Sequence, residues 1–136
     1  MPTLGAQNPC LCGRVNPAKK GVPYAACCGR WLDGAEVAPD AESLMRSRYT
    51  AFVLQRQDYL LATWHRSTRP EDLEFEAGAK WLGLEVKASA VQDAAHAEVA
   101  FVARQRHAGG SASRLHERSR FVCEQGRWYY LNGTLL

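Results

Sequence analysis

The chain has 136 residues, of which 46% are hydrophobic and 23% are charged, a composition that excludes a disordered or fibrous protein. This length suits one ordinary domain with a small appendage. The N-terminus has no basic segment followed by an apolar one, and no apolar run approaches the ~18 residues that a membrane helix needs. We therefore expect a soluble, cytoplasmic protein without membrane contact.

The net charge of +3 lies entirely within residues 1–34. That segment carries four basic side chains and one acidic side chain, Asp33, whereas the remainder has 13 basic and 13 acidic residues. A solvated surface is the favoured interpretation of these charges, and a patch for nucleic acid or another anionic partner is the weaker alternative. The four basic residues are Arg14, Lys19, Lys20 and Arg30.

The same segment holds four of the five cysteines, in the pattern C-x-C, fourteen residues, C-C. Four thiolates supply the tetrahedral shell that zinc prefers, and Gly13 and Gly29 permit tight backbone turns beside each pair. A closed four-thiolate site leaves no position for a substrate, so we predict one structural zinc ion in a knuckle over residues 1–34. The predicted ligands are Cys10, Cys12, Cys27 and Cys28.

Disulfides and inert buried thiols are the competing interpretations of this cluster. A bond between the adjacent Cys27 and Cys28 would be strained, and the cytoplasm keeps thiols reduced. Inert core cysteines would not gather in a segment with so few large apolar neighbours. The fifth cysteine, Cys123, is predicted to be packing material in a strand, with a reactive thiol as the alternative.

Helices are predicted after a linker that ends near Asp40. Asp40 can cap a helix over residues 41–54, in which the apolar residues form one stripe at 3- and 4-residue spacings. A second short helix is predicted over 59–63 and a third over 73–80. The stripe consists of Met45, Tyr49, Phe52 and Val53.

From Trp81 onward the apolar period becomes two, which predicts four strands joined by short, turn-rich connectors. Leu82, Leu84 and Val86 are predicted to share one face of the first strand. The order of helices followed by antiparallel strands predicts an α+β domain over 40–136, with helices packed on one face of a curved sheet. The strands centre on residues 82–86, 99–103, 115–123 and 128–131.

The cysteine pairs resemble the SEC-C motif, in Cys10-Leu11-Cys12-Gly13 and Cys27-Cys28-Gly29. This motif also ends the SecA preprotein translocase, where it binds zinc and docks the chaperone SecB. The resemblance implies a zinc knuckle that docks a protein partner. This chain departs from the motif in three ways: Leu11 replaces the usual proline, Arg14 replaces the usual serine, and the loop between the pairs is longer than usual.

Most of the chain resembles the YchJ family of bacterial proteins. The resemblance implies a nuclear-transport-factor-two-like, or cystatin-like, domain, in which helices and a curved sheet form a cone. It supplies no activity. It rests on Leu44-Met45-Arg46-Ser47-Arg48-Tyr49, Tyr59-Leu60, Thr63-Trp64-His65, Trp81-Leu82-Gly83-Leu84, Glu117-Arg118-Ser119-Arg120-Phe121 and Trp128-Tyr129-Tyr130.

Domains shaped like this cone often hold a pocket between helix and sheet. Glu117 and Ser119 share a strand face with Leu115 and Phe121, so this face is predicted to point inward. Arg48 lies beside the apolar stripe of the first long helix, which predicts a buried Arg48–Glu117 ion pair. The pocket candidates are Arg48, Tyr59, His65, Glu117 and Ser119.

These observations favour a zinc-stabilised binding or adaptor protein, with the knuckle docking a protein partner and the cone taking a small ligand. The alternative is a small pocket enzyme of the isomerase or dehydratase type, with Glu117 as general base and the neighbouring candidates binding substrate. The sequence contains no nucleophile triad at a telling spacing, no phosphate loop and no second metal cluster. We therefore assign no catalytic residue.

Overall fold

The computed structural model describes residues 5–136, which form an α+β fold with one four-stranded sheet. Neighbouring strands are antiparallel and follow the chain order β1-β2-β3-β4, which confirms the predicted fold class. None of the helices within residues 5–136 has the length and apolar composition needed to span a bilayer. The elements are α1 (Gly29–Leu32), α2 (Ala41–Val53), α3 (Gln57–Ala62), β1 (Lys80–Asp93), β2 (His96–Arg106), β3 (Ala112–Glu124) and β4 (Arg127–Leu135).

Helix α2 is the centre of the molecule. Nine of its thirteen residues are buried, far more than one apolar stripe would require. The reason is that α2 packs against the sheet on one side and against the cysteine segment on the other. Burial was predicted for Arg48 but not for the other buried polar residues of α2, which are Ser43, Ser47 and Thr50.

The start of α2 is capped as predicted. Asp40 has extended backbone angles, and its side chain accepts a hydrogen bond of 2.7 Å from the backbone N–H of Ser43. Such a cap satisfies one of the N–H groups that the first turn of a helix leaves without a partner.

Replacing Asp40 by alanine is expected to lower the free energy of unfolding by about 1 kcal/mol, because the cap is lost. Urea denaturation followed by circular dichroism measures this change. Asp72→Ala is the matched control, since Asp72 is exposed in a loop and is expected to leave stability within about 0.5 kcal/mol of the wild type. Equal losses in both variants would contradict the capping role.

The sheet departs from the predicted alternation at the start of β1. A bulge between Trp81 and Gly83 shifts the register against β2. Leu82 consequently points outward and is 48% exposed, so the prediction that it shares a face with Leu84 and Val86 is wrong. The Trp81 ring takes the inner position instead and packs against Tyr49, with the ring centroids 5.8 Å apart.

The helix predicted over 73–80 is also wrong. Residues 73–79 are extended and irregular, with Leu73 and Phe75 partly buried and their neighbours exposed. This alternation lets Phe75 reach Phe52, with ring centroids 6.3 Å apart, and Gly78 then turns the chain into β1 at a φ of 79°. The second predicted helix is present as α3, although it begins two residues earlier than expected.

Candidate metal centre and helix–sheet cavity

A hairpin brings the two cysteine pairs together. The backbone N–H of Cys10 donates to the Val22 carbonyl at 2.8 Å, and the N–H of Val22 donates to the Arg14 carbonyl at 3.0 Å. The tip of the hairpin is residues 16–20, closed by a bond of 2.8 Å from the Asn16 N–H to the Lys20 carbonyl. The fourteen residues between the pairs therefore form a return loop that places Cys27 opposite Cys12.

Two glycines shape the turns at the cysteines for different reasons. Gly13 has a φ of 79°, a conformation that side chains disfavour, and its N–H donates to the Cys10 carbonyl at 3.2 Å. At Gly29 the constraint is space, because a Cβ atom there would lie 2.8 Å from the Tyr24 carbonyl oxygen. Both glycines adjoin the cysteines as predicted, but only Gly13 is required for its backbone angles.

The four sulfur atoms lie within 4.8 Å of one another. The Cys12 and Cys27 Sγ atoms are 3.6 Å apart, and those of Cys27 and Cys28 are 4.0 Å apart. A tetrahedral zinc site with Zn–S distances of about 2.3 Å has sulfur–sulfur edges of about 3.8 Å, so the cluster has the dimensions of such a site. All four thiols are free and at most 5% exposed. The donor set fits a buried, four-coordinate soft cation.

Because the four thiols are crowded, each one shifts the pKa values of the others. Hydrogen bonds from Cys12, Cys27 and Cys28, in that order of weight, lower the pKa of Cys10 far below its ordinary value. Hydrogen bonding with Cys10 is the largest cause of the strongly raised pKa of Cys28. Four crowded thiols resist ionising together, and a bound divalent cation would stabilise all four as thiolates.

The cluster is anchored to α2 by polar contacts around the sulfurs. The Thr50 hydroxyl donates to Cys28 Sγ at 3.5 Å and lies 3.9 Å from Cys10 Sγ. Arg46 Nη1 donates to the Cys12 carbonyl at 2.9 Å. The cysteines also belong to the same buried cluster as the core of the sheet. The division into a knuckle over 1–34 and a domain over 40–136 stays a prediction, but the described parts of the two share one core.

A cavity of about 260 Å³ lies between α2 and the sheet. Its walls are mainly aromatic and aliphatic, and three of the five predicted pocket residues, Arg48, Glu117 and Ser119, line it. The prediction that the Glu117 face of β3 points inward is therefore correct. The remaining lining residues are Met45, Tyr49, Phe52, Trp64, Trp81, Phe101, Ala103, Leu115, Phe121 and Tyr130.

Arg48 is only 5% exposed and is held by uncharged partners. Its Nη1 donates to the Leu60 carbonyl and to Thr63 Oγ1, both at 2.7 Å. The guanidinium carbon also lies 5.0 Å from the centre of the Trp64 ring and 4.7 Å from that of Tyr130. Burial lowers the pKa of Arg48 to about 10, so the side chain stays protonated at neutral pH.

Glu117 has a separate set of partners. Its Oε2 accepts hydrogen bonds from Ser119 Oγ at 2.5 Å and from the Tyr130 hydroxyl at 3.5 Å. Burial and the nearby Glu117 raise the pKa of Tyr130 to about 12, which keeps this phenol protonated. No Arg48 nitrogen lies within 4.0 Å of Glu117, so the predicted ion pair is not formed. The guanidinium instead uses the carbonyl at the end of α3 and the two rings.

Tyr59 and His65 lie outside this cavity. The Tyr59 hydroxyl is 2.7 Å from Ser47 Oγ, and its ring lines a smaller depression beside Trp31. The His65 Nδ1 atom lies 2.7 Å from Ser67 Oγ, and Nε2 lies 3.2 Å from Glu124. Tyr130, which the sequence placed in a strand but not in the pocket, is the polar residue that pattern reasoning missed. Tyr130 is paired with Phe121 across β3 and β4. Because paired residues of neighbouring strands share a face, the inward position of Phe121 indicates that Tyr130 also faces the cavity.

Gly133 of β4 explains how Glu117 fits beside the sheet. A Cβ atom at this position would overlap the Glu117 carboxylate and lie 2.9 Å from its Cγ atom. Gly133→Ala is therefore expected to displace the Glu117 carboxylate, break its hydrogen bond with Ser119 and lower the free energy of unfolding by about 0.5–1.5 kcal/mol. Chemical denaturation measures this loss. Gly109→Ala, where an added Cβ meets no atom within 4 Å, is expected to be near neutral, and equal effects would contradict the close approach.

Comparison with protein families agrees with this architecture. A family model described as the YchJ middle NTF2-like domain matches residues 40–133. A UPF0225 protein of Polaromonas naphthalenivorans is 62% identical over 131 residues, which cover 92% of this chain and 96% of the relative. A UPF0225 protein of Bordetella pertussis is 61% identical over 122 residues, which cover 88% of this chain and 91% of the relative.

Two solved structures resemble this chain over nearly its whole length. The solution structure of a SEC-C motif containing protein from Rhodopseudomonas palustris has a TM-score of 0.81 and 32% identity, covering 95% of this chain and 99% of that one. The crystal structure of a SEC-C motif containing protein from Psychrobacter arcticus has a TM-score of 0.76 and 31% identity, covering 96% and 84%. In both cases the similarity extends across the cysteine segment as well as the sheet.

Proposed function

We propose that this chain, which belongs to the YchJ family, is a zinc-stabilised cytoplasmic protein whose helix–sheet cavity binds a small apolar ligand. The observation that carries the proposal is the cavity itself, with mainly apolar walls and a few convergent polar groups, the usual composition of a small-molecule site. Its volume of about 260 Å³ falls just below the usual range for drug-sized ligands, which favours a small occupant.

The choice of zinc rests on the chemistry of the four sulfurs. Soft thiolate ligands in a tetrahedral arrangement favour zinc or an iron–sulfur centre, and the cluster has the edge lengths of a single-ion site. The residues that would hold the ion are Cys10, Cys12, Cys27 and Cys28. Because all four are buried and no ligand position would stay open, the ion would stabilise the fold rather than take part in a reaction.

A binding experiment on the cavity tests the proposal. A library of small apolar fragments is screened by thermal shift and by ligand-observed NMR against the wild type and against Ala103→Phe, which fills the cavity from β2. We expect fragments that stabilise the wild type and leave the filled variant unaffected. Ala90→Phe, at an exposed position of β1, is the matched control and should bind as the wild type does. Equal binding to the filled variant, or no binding at all, would contradict the proposal.

The alternative of a pocket enzyme depends on Glu117 acting as a general base. Its carboxylate lies in an apolar cavity beside Ser119 and Tyr130, and such an environment is suitable for proton abstraction. The fragment screen separates the two functions when repeated on Glu117→Ala. A ligand that is bound by both proteins and chemically changed only by the wild type would favour the enzyme.

A protein partner at the knuckle is a second candidate function. The hairpin carries the exposed Lys19 and Lys20 at its tip, next to Val15, which is 53% exposed. A basic surface with an apolar residue suits an acidic partner segment, and charge complementarity would speed the encounter. Affinity capture should lose such a partner in Lys19→Glu/Lys20→Glu but retain it in Lys80→Glu/Lys87→Glu. Identical capture by both double variants would contradict docking at the hairpin.

A further inference from the structure

Arg48 has hydrogen-bond donors that the protein does not use. Within residues 5–136, only Nη1 has acceptors, and neither Nε nor Nη2 has an acceptor within hydrogen-bond distance. The side chain lines the cavity, and so do the Trp64 and Tyr130 rings on either side of its guanidinium. Neither atom is among the fully buried, unpartnered polar atoms of the described chain, so both can be reached from the cavity, where water or a ligand can provide the acceptor.

Glu117 offers the complementary group. Both of its recorded hydrogen bonds end on Oε2, while Oε1 accepts none from the described chain. No lysine, arginine or histidine nitrogen of residues 5–136 lies within 4.0 Å of this carboxylate. The cavity therefore presents one acceptor without a donor from the described chain, in addition to the donors of Arg48 without an acceptor from it.

These are the only two side chains of the lining that carry charge, because Tyr49 and Tyr130 have pKa values raised to about 12 by burial. A free carboxylate ligand would satisfy Arg48 but add a second anion beside Glu117. An amine would satisfy Glu117 but leave Arg48 without a counter-ion. A ligand with both groups and no net charge matches the site.

We propose that the ligand is a small apolar amino acid or a close relative, with its carboxylate on Arg48, its ammonium on Glu117 and its side chain against the aromatic walls. This inference rests on the proposed binding function of the cavity and adds the chemical class of the ligand. The walls offered to the apolar side chain include Phe52, Trp81 and Phe101.

Four probes with one phenyl ring and related chains test the assignment by isothermal titration calorimetry. They are L-phenylalanine, 3-phenylpropanoate, 2-phenylethylamine and n-propylbenzene, which differ in whether they carry both charged groups, one or neither. We expect L-phenylalanine to bind at least about tenfold more tightly than each of the other three, since paired charges in a desolvated site add affinity.

Glu117→Gln keeps the shape of the side chain and removes its charge. We expect it to weaken the binding of L-phenylalanine about tenfold and to abolish the preference for L-phenylalanine over 3-phenylpropanoate. A merely structural role of Glu117 would not produce this loss of specificity. Arg48→Met should weaken L-phenylalanine and 3-phenylpropanoate alike, and circular dichroism checks that it folds. Arg118→Gln, at an exposed position next to Glu117 in β3, is the control and should bind as the wild type does.

The outcomes separate this inference from the function on which it rests. If n-propylbenzene binds as tightly as L-phenylalanine, the cavity is an apolar site and the amino-acid assignment is wrong. Tighter binding of 3-phenylpropanoate or 2-phenylethylamine than of L-phenylalanine also overturns it. If none of the four probes binds, while the fragment screen finds other ligands excluded by Ala103→Phe, the binding function stands and the assignment fails. If neither experiment finds a ligand, both proposals fail.

Discussion

Replacing Cys27 by serine is expected to release the proposed zinc ion and to lower the melting temperature by roughly 10–20 °C. Cys27 is 1% exposed, and its sulfur lies 3.6 Å from that of Cys12, so no solvent group can take its place in the cluster. A hydroxyl is a poor substitute for a thiolate towards a soft cation, and the three remaining thiols would be left crowded without a counter-charge.

This loss of stability is expected to affect the whole molecule rather than the N-terminal segment alone. The cysteines share a buried cluster with Leu44 and Met45 of α2, and Thr50 bonds directly to the sulfur of Cys28. We therefore expect the wild type to unfold in one cooperative transition and the variant to unfold in one transition at lower temperature. A detached knuckle would instead give a variant whose sheet melts as in the wild type.

The control for this experiment is Cys123→Ser. Cys123 lies in β3, partly buried and far along the chain from the cluster, and its thiol is free. It should leave the metal content unchanged, so the pair of variants separates loss of a ligand from loss of any thiol. Elemental analysis of untagged protein and differential scanning calorimetry give the two readouts. Wild-type protein without stoichiometric zinc, or Cys27→Ser that retains it, would refute the metal assignment.

The cysteine cluster could be predicted from the sequence because its determinants are local. The spacing of the pairs, the turn at Gly13 and the close approach at Gly29 all lie within a few residues of the sulfurs. The anchoring of the cluster on α2 could not be predicted in the same way. Thr50 and Arg46 reach the cysteine segment from more than twenty residues away, and nothing in their spacing distinguishes them from exposed helix residues.

The sheet was predictable wherever period two persisted. The prediction failed where tertiary packing overrode the local pattern. The bulge after Trp81 places that ring against α2 and exposes Leu82. The segment over 73–80 has residues with good helix propensity, but Leu73 and Phe75 contribute to the core only when the chain is extended. Propensity alone could not decide between these two outcomes.

The cavity was predictable from one strand but not from the loops around it. The alternation along β3 correctly predicted that Glu117 and Ser119 face the cavity. The partners of Arg48 depend on the C-terminal end of α3, whose Leu60 carbonyl lies in reach of the guanidinium, and on the bridge that brings Trp64 beside Tyr130. An opposite charge on a facing strand was therefore a poor guide to the partner of a buried arginine.

The second large effect is expected at Arg48, where Arg48→Ala should lower the free energy of unfolding by about 3–5 kcal/mol. The Leu60 carbonyl loses its charged donor at a site where Leu60 is 0% exposed, which costs about 1–3 kcal/mol. The contacts with Trp64 and Tyr130 contribute about 0.5–2 kcal/mol more, and the vacated volume enlarges an existing cavity.

Comparison with Arg48→Met separates the charge of this residue from its volume. Burial lowers the pKa of Arg48 to about 10, which means that the folded protein disfavours the charged form relative to water. Methionine keeps much of the volume and carries no charge to desolvate, so its loss should be smaller than that of alanine, at about 1–2 kcal/mol. Arg118→Ala, at an exposed position of β3, should remain within about 0.5 kcal/mol of the wild type.

Urea denaturation of the three variants decides whether Arg48 supports the fold or is retained at a cost to it. An alanine variant within about 1 kcal/mol of the wild type would show that the bonds to Leu60 and Thr63 only offset the burial of the charge. A methionine variant more stable than the wild type would show that the fold tolerates the arginine at a net cost. Ligand binding by the free donors of Arg48 would then explain why the fold retains the residue at that cost. Stability and ligand binding should therefore be measured on the same Arg48→Met variant.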